Sequence, residues 1–254
     1  MDLSDIQVDQ NGTTILTGVS IGLNATLSNP DACATSIKWT ASAGNTVPAE
    51  GSLSTTFSSP CAPGNINLAI EVRNEEGNLK ATRKTELQVE ETPDFPIQGE
   101  YVSSGFFGDI NQVKIEKTEF QGKSCEKYTF SPFGAEGYAG VYYQYPPNNW
   151  GTQAGKDLSA YNKITFYVCS PDAAKVNFIA GGVSDETMEY KDSFKGVTGY
   201  QQLPANWEKV EIDLRNRDLS SVIGGFAWVA DRDSNQKTIN FYIADVQYER
   251  ACEE

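Results

Sequence analysis

The sequence contains no histidine. That absence excludes Ser-His-Asp and Cys-His nucleophile systems, His-ligated zinc and an imidazole base near neutral pH. Any catalysis would have to rest on carboxylates, Tyr, Lys, Cys or a metal. Cysteine is scarce and odd in number, five in 254 residues, which is too few for a disulfide scaffold. Basic residues are in deficit: 20 against 34 acidic ones leave a net charge of −14. A surface of that sign repels phosphate backbones, so nucleic acid is not an expected partner. No apolar run approaches the ~20 residues that a membrane helix needs. The chain opens on the polar run Met1-Asp2-Leu3-Ser4-Asp5, without a signal-peptide pattern. An export signal or lipid anchor is expected to lie outside it.

Aromatic residues are present but unevenly spread. Before residue 93 there are only Trp39 and Phe57; every other Trp, Tyr and Phe follows. Two different cores are implied, and Glu90-Glu91-Thr92-Pro93-Asp94-Phe95-Pro96 reads as the stiff, charged connector between them. The expected division is a first domain over 1–92, a linker over 93–98 and a second domain over 99–254.

Both halves read as β. Ile66-Asn67-Leu68-Ala69-Ile70-Glu71-Val72 and Thr85-Glu86-Leu87-Gln88-Val89-Glu90 alternate apolar and polar residues. Turn signals such as Asn11-Gly12 and Ala62-Pro63-Gly64-Asn65 separate such runs. About seven short strands in ~90 residues suggest an immunoglobulin-like sandwich with Trp39 in its core. Cys33 and Cys61 sit in flanking loops; a disulfide between them would mark an oxidising compartment, and two free thiols are the alternative. The second half carries Lys163–Val168, Lys175–Ile179, Trp207–Leu214 and Ile239–Val246 as strands, with no long helical stripe. That pattern suggests a jelly-roll sandwich. The fold class expected is therefore all-β.

Candidate binding residues come from aromatic and amide groups outside the core alternation. Thr165, Tyr167, Asn177, Asn240 and Tyr242 fall on the alternate strand faces. Such mixtures suit sugars, whose C–H faces stack on rings while their hydroxyls need donors and acceptors; a sheet face covered by loops would look the same. Tyr142, Gln144, Asn149 and Trp150 cluster at a Pro/Asn turn, where the indole either stacks on a ligand or plugs the sandwich end. Tyr190, Lys191 and Asp192 join a ring to both charge types, and Trp228 follows Gly224-Gly225-Phe226-Ala227. Together they suggest a cleft rimmed by Trp150, Tyr190 and Trp228, with Lys191, Asp192 and Gln144 bonding hydroxyls. Trp207 opens a strand of strong core alternation and is assigned to the core. Asp185, Glu186, Glu189 and Asp192 are crowded enough to allow a glycosidase pair, but solvated loop charge explains them as well. Asp231-Arg232-Asp233-Ser234-Asn235 has a superficial calcium-loop pattern and reads better as a hairpin turn. Cys125, Cys169 and Cys252 lack metal-type spacing, and buried thiols are expected.

The stretch Ile37-Lys38-Trp39-Thr40 with Leu68–Val72 and Glu75-Glu76-Gly77-Asn78 resembles the PKD/immunoglobulin-like spacers of secreted bacterial proteins. Gln144-Tyr145-Pro146, Asn149-Trp150-Gly151, Ala180-Gly181-Gly182, Asn206–Leu214, Asp218–Phe226 and Phe241–Val246 resemble jelly-roll, galactose-binding-like carbohydrate-binding modules. The combined layout resembles the surface glycan-binding lipoproteins of polysaccharide-utilisation systems. That resemblance implies a non-catalytic protein at the outer cell surface. It would hold a polysaccharide or oligosaccharide, with a neutral β-glucan preferred, for glycoside hydrolases and an outer-membrane transporter. It also implies a structural calcium, with Asp245 as a ligand from the last strand and Asp109 as its partner; oxygen ligands suit that cation.

Overall fold

The computed structural model describes residues 2–9, 12–28 and 34–250. The chain forms two compact units that meet in sequence at Pro93 and Asp94.

The first unit contains β1 (Asp2–Leu3), β2 (Gln7–Val8), β3 (Thr14–Leu16), β4 (Ser20–Asn24), β5 (Leu27–Ser28), β6 (Ala34–Ala41), β7 (Asn45–Val47), β8 (Ser54–Ser58), β9 (Gly64–Asn74) and β10 (Leu79–Glu90). One sheet runs β3-β10-β9-β6 and the other β2-β4-β8-β7, with β1 paired to β5. Strand β3 joins β10 in parallel while the other pairs in these sheets are antiparallel, as in immunoglobulin-like sandwiches. The period-two pattern of β9 sends Ile66, Leu68, Ile70 and Val72 inward, where they meet Trp39 and Phe57. Trp39 is buried, and its indole N–H donates to the Ser52 carbonyl at 2.9 Å. It is a core residue, as the sequence suggests.

The second unit contains β11 (Phe95–Pro96), β12 (Val102–Gly108), β13 (Val113–Phe120), β14 (Lys123–Phe130), β15 (Tyr138–Gln144), β16 (Lys163–Cys169), β17 (Lys175–Gly181), β18 (Lys195–Gln202), β19 (Glu208–Asp213), β20 (Gly224–Asp231) and β21 (Ile239–Glu249). A six-stranded sheet is ordered β13-β14-β21-β16-β19 with β11 added on β21, and a five-stranded sheet β12-β15-β20-β17-β18. Their inner faces enclose an aromatic core that includes Tyr128, Phe166, Phe178, Phe226, Trp228 and Phe241. Tyr128 meets Trp228 edge-on at 4.9 Å, and Phe166 meets Phe226 at 4.9 Å. Such pairs add ~0.5–1.5 kcal/mol each beyond area burial. One carboxyl group enters this interior: Glu126 accepts the hydroxyls of Tyr128 and Tyr143, so the buried oxygen is hydrogen-bonded.

Three expectations are corrected here. The connector is shorter than 93–98, because Phe95 and Pro96 pair with Tyr248 and Gln247, and Ile97 is buried in the core. Proline is tolerated in a short strand at a sheet margin, where its missing N–H is not needed. The aromatic and amide faces are not one surface. Thr165, Tyr167, Cys169, Asn240 and Tyr242 belong to strands of the six-stranded sheet, whereas Asn177 belongs to the five-stranded sheet. Trp207 is not in the inter-sheet core: it packs in a satellite cluster with Phe120, Tyr242, Cys125 and Cys169. Phe120 stacks on Tyr242 at 4.0 Å and caps the cluster. Cys125 and Cys169 are buried unpaired thiols, and burial pushes Cys169 up to about 12. Cys33 and Cys252 lie outside the described residues, so the expected Cys33–Cys61 bridge does too.

Candidate functional site

The outer face of the five-stranded sheet carries the candidate site, and strand β15 organises it. Ala139, Val141 and Tyr143 point into the core. By alternation Tyr138, Gly140 and Tyr142 point outward. Tyr142 lies four positions after Tyr138, roughly 13 Å along a strand. The gap at Gly140 is filled from the neighbouring strand. Phe107 of β12 pairs with Gly140, and a Cβ on that glycine would collide with the Phe107 ring. The result is a continuous row of rings. Trp150 meets Tyr142 at 5.9 Å, Tyr142 meets Phe107 at 5.7 Å, and Phe107 meets Tyr138 at 6.4 Å. Trp150 and Tyr138 are 39% and 38% exposed at the two ends, while Tyr142 is largely covered.

At the Tyr138 end the row runs into a cavity of about 350 Å³. Tyr138 and Tyr200 line it with Val229, and Glu136, Asp231, Arg232 and Asp233 add charge. Tyr138 lies opposite Asp231 on β20, and Tyr200 comes from β18. The Tyr200 phenol is held in its protonated form, first by burial and then by the Asp231 carboxylate beside it. Asn177 pairs with both Val229 and Tyr200, and its buried Oδ1 has no hydrogen-bond partner.

The loop beside this cavity is braced from two sides. Arg232 donates Nε–H to the Pro132 carbonyl at 2.8 Å and an Nη2–H to the Gly134 carbonyl. The Asp109 carboxylate accepts the Glu136 and Gly137 N–H groups at 3.1 and 2.7 Å. Between the braces stands Phe133, 72% exposed.

The residues named from sequence divide into those at the surface and those that support it. Trp150, Tyr190 and Lys191 are exposed, and the Tyr190 N–H donates to the Gly151 carbonyl at 3.1 Å, so the two loops touch. Tyr142 lies under Trp150 as described. Trp228 is corrected: it is fully buried in the inter-sheet core, because Phe226 and Trp228 share the inner face of β20. Asp192 is corrected as a sugar contact. It is buried, and its carboxylate accepts the N–H groups of Val183, Ile223 and Gly224. Burial pushes its pKa up to about 6 against the opposing pull of those donors. Gln144 is fully buried, donating to the Asn149 carbonyl and accepting from Ser104. Asn149 spends its side chain on its own turn, accepting from the N–H groups of Gly151, Thr152 and Gln153 and donating to the carbonyls of Tyr145 and Gln153. Neither amide is free for a ligand.

The carboxylates named for calcium both have protein partners. Asp245 is paired with the Lys123 ammonium at 2.8 Å, and Asp109 serves the loop brace. Among the described residues no group of three or more His, Cys, Asp or Glu side chains is placed to hold a metal. The 231–235 segment is a turn, closed by the Ser234 N–H on Asp231 Oδ1 at 2.7 Å. Of the crowded carboxylates, Asp185 accepts from Thr187 in its own exposed turn, which holds its pKa below the usual range, and Asp192 is the buried clamp just described.

The cavity was missed from sequence. Tyr138 and Tyr200 are sixty-two positions apart, on strands with two others between them in the sheet. Only outward alternation at Tyr138 signalled either.

No protein-family model matches the chain. No curated protein matches it either. Among solved structures it is similar to the family 11 carbohydrate-binding module of the cellulosomal cellulase Lic26A-Cel5E of Clostridium thermocellum, at 15% identity over 64% of this chain and 96% of that one, with a TM-score of 0.42. It is similar to a family 30 carbohydrate-binding module at 13% identity, 63% and 100% coverage and a TM-score of 0.46. A module of family 28, specific for non-crystalline cellulose, matches at 12% identity, 62% and 98% coverage and a TM-score of 0.38.

Proposed function

We propose that this protein binds a polysaccharide without cleaving it, along the outer face of the five-stranded sheet. The observation that carries the reading is the row Trp150–Tyr142–Phe107–Tyr138, exposed at both ends and closed by a polar cavity. Flat rings in series take the C–H faces of successive sugars, and polar groups at one end take hydroxyls. A β-linked glucan, whose rings present flat faces, is the chain such a row suits. The first unit then serves as a spacer. An extracellular surface setting, with an outer-membrane transporter and glycoside hydrolases as partners, is part of the same proposal and is supported by the two-unit layout.

Affinity electrophoresis in gels containing soluble polysaccharides tests it. Retardation of the parent protein is expected, and Trp150→Ala should reduce it by ~1–3 kcal/mol of binding energy, the range for an aromatic anchor. Its melting temperature should stay close to the parent's. Absence of retardation by any neutral or amino-bearing glycan would refute the reading, and so would release of shorter sugars by the purified protein.

A further inference from the structure

The cavity at the Tyr138 end differs chemically from the ring row that leads to it. The row is apolar, whereas the cavity places Glu136, Asp231 and Asp233 around two exposed phenol rings. Arg232 also borders it, but its guanidinium is committed through Nε and Nη2 to the carbonyls of Pro132 and Gly134. None of the three carboxylates is in an ion pair with Arg232 among the described residues. The balance at the cavity is therefore negative. Two ring faces and several carboxylates are the features that attract an organic ammonium group. An ammonium brings three donors and no acceptor, so it suits the carboxylates that line the cavity.

We infer that this cavity holds the protonated amine of an amino sugar, and that the preferred glycan is a β-linked chain carrying free amino groups. The inference rests on the glycan-binding reading and refines it: a 2-amino-glucan offers the ring row the same C–H faces as a plain glucan. Only the cavity separates the two. An anionic sugar is repelled there, and an N-acetylated one arrives without its charge and with added bulk.

Calorimetry with the full chain tests this, using three tetrasaccharides in one buffer near pH 6: β-1,4-linked glucosamine, N-acetylglucosamine and glucose. Spermidine supplies an amine without a sugar ring. The expected result is tenfold or stronger preference for the glucosamine tetramer over the other two, shrinking as salt is added. Glu136→Gln with Asp233→Asn, both at exposed positions, should bring the preference below threefold. Equal binding of the three sugars, or a preference the double variant leaves intact, overturns the inference while glycan binding stands. Binding of spermidine as tight as that of the glucosamine tetramer also overturns it, by showing an amine site without a sugar. Binding of none of the three sugars removes the glycan reading itself.

Discussion

Asp192 offers the sharpest test of how the site is held. Its carboxylate gathers N–H groups from Val183 and from Ile223 and Gly224, so it pins the segment before Tyr190 to the start of β20. Replacing it by alanine would leave those three donors buried without an acceptor. Each orphaned donor costs ~1–3 kcal/mol. Against that, the variant no longer buries a charge. The fold raises the Asp192 pKa from 3.8 to about 6, which corresponds to roughly 3 kcal/mol of unfavourable linkage at neutral pH. Taking each donor at about 2 kcal/mol, the three together cost about 6, and the net loss expected at pH 7 is about 3 kcal/mol. The sign with pH follows from proton uptake. Between pH 4 and 6 the folded state binds a proton that the unfolded state has released, so this group's contribution is fully present below pH 4 and declines as pH rises through 6. Alanine cannot titrate, so the difference between parent and variant should be larger at pH 4 than at pH 7, by up to about 3 kcal/mol. Urea unfolding at both pH values, read on the transition of the second unit, measures this. Hydrogen exchange at the Val183, Ile223 and Gly224 amides locates it. A loss under about 1 kcal/mol at pH 7, or a difference that does not change with pH, refutes the reasoning.

Two further predictions concern Asp109 and Asp245. Asp109→Ala should free the Glu136 and Gly137 N–H groups, loosen the loop carrying Phe133, and cost about 1–2 kcal/mol of stability, with glycan affinity falling in the same variant; thermal unfolding and calorimetry check it, and unchanged affinity would separate this loop from the site. Asp245→Ala removes an exposed ion pair with Lys123, worth ~0.2–1 kcal/mol, and chelator should leave the melting temperatures of parent and variant alike. A chelator-dependent drop seen in the parent and absent from the variant would restore the calcium assignment.

Much of the fold could be read from period two. The alternation in β9, β16 and β21 identified core residues correctly. What alternation cannot tell is which of its two faces turns inward. Phe226 and Trp228 share a face by alternation, and in the fold that face is the inner one, so Trp228 lies in the core and not at the rim of a cleft. Asp192 misled for a related reason. A carboxylate among Tyr190, Lys191 and Phe194 looks like a ligand contact until the donors appear, and two of those donors lie about thirty positions further along the chain. The cavity needs β15, β17, β18 and β20 side by side, and strand order is not written in any one segment.

The residues displaced from the contact list gain a different role, which explains why Trp150 can stand exposed in a fixed place. Asn149 saturates the turn on either side of it, and Gln144, buried beneath, holds the Asn149 carbonyl at 2.8 Å. Gly151, in the left-handed region at φ 86°, sits tight against Met188 and the Tyr190 carbonyl, so a side chain there would be both strained and obstructed. The indole then rests edge-on over Tyr142, which is anchored in the sheet. Ordering a free side chain on binding costs ~0.5–1.5 kcal/mol; a ring already held by its turn avoids most of it. Lys191, exposed on a flexible four-carbon stem, has no such support. Affinity should therefore concentrate in the rings that the buried amides and Asp192 hold in place. The charged groups around the cavity at the other end of the row choose among sugars that fit those rings equally well.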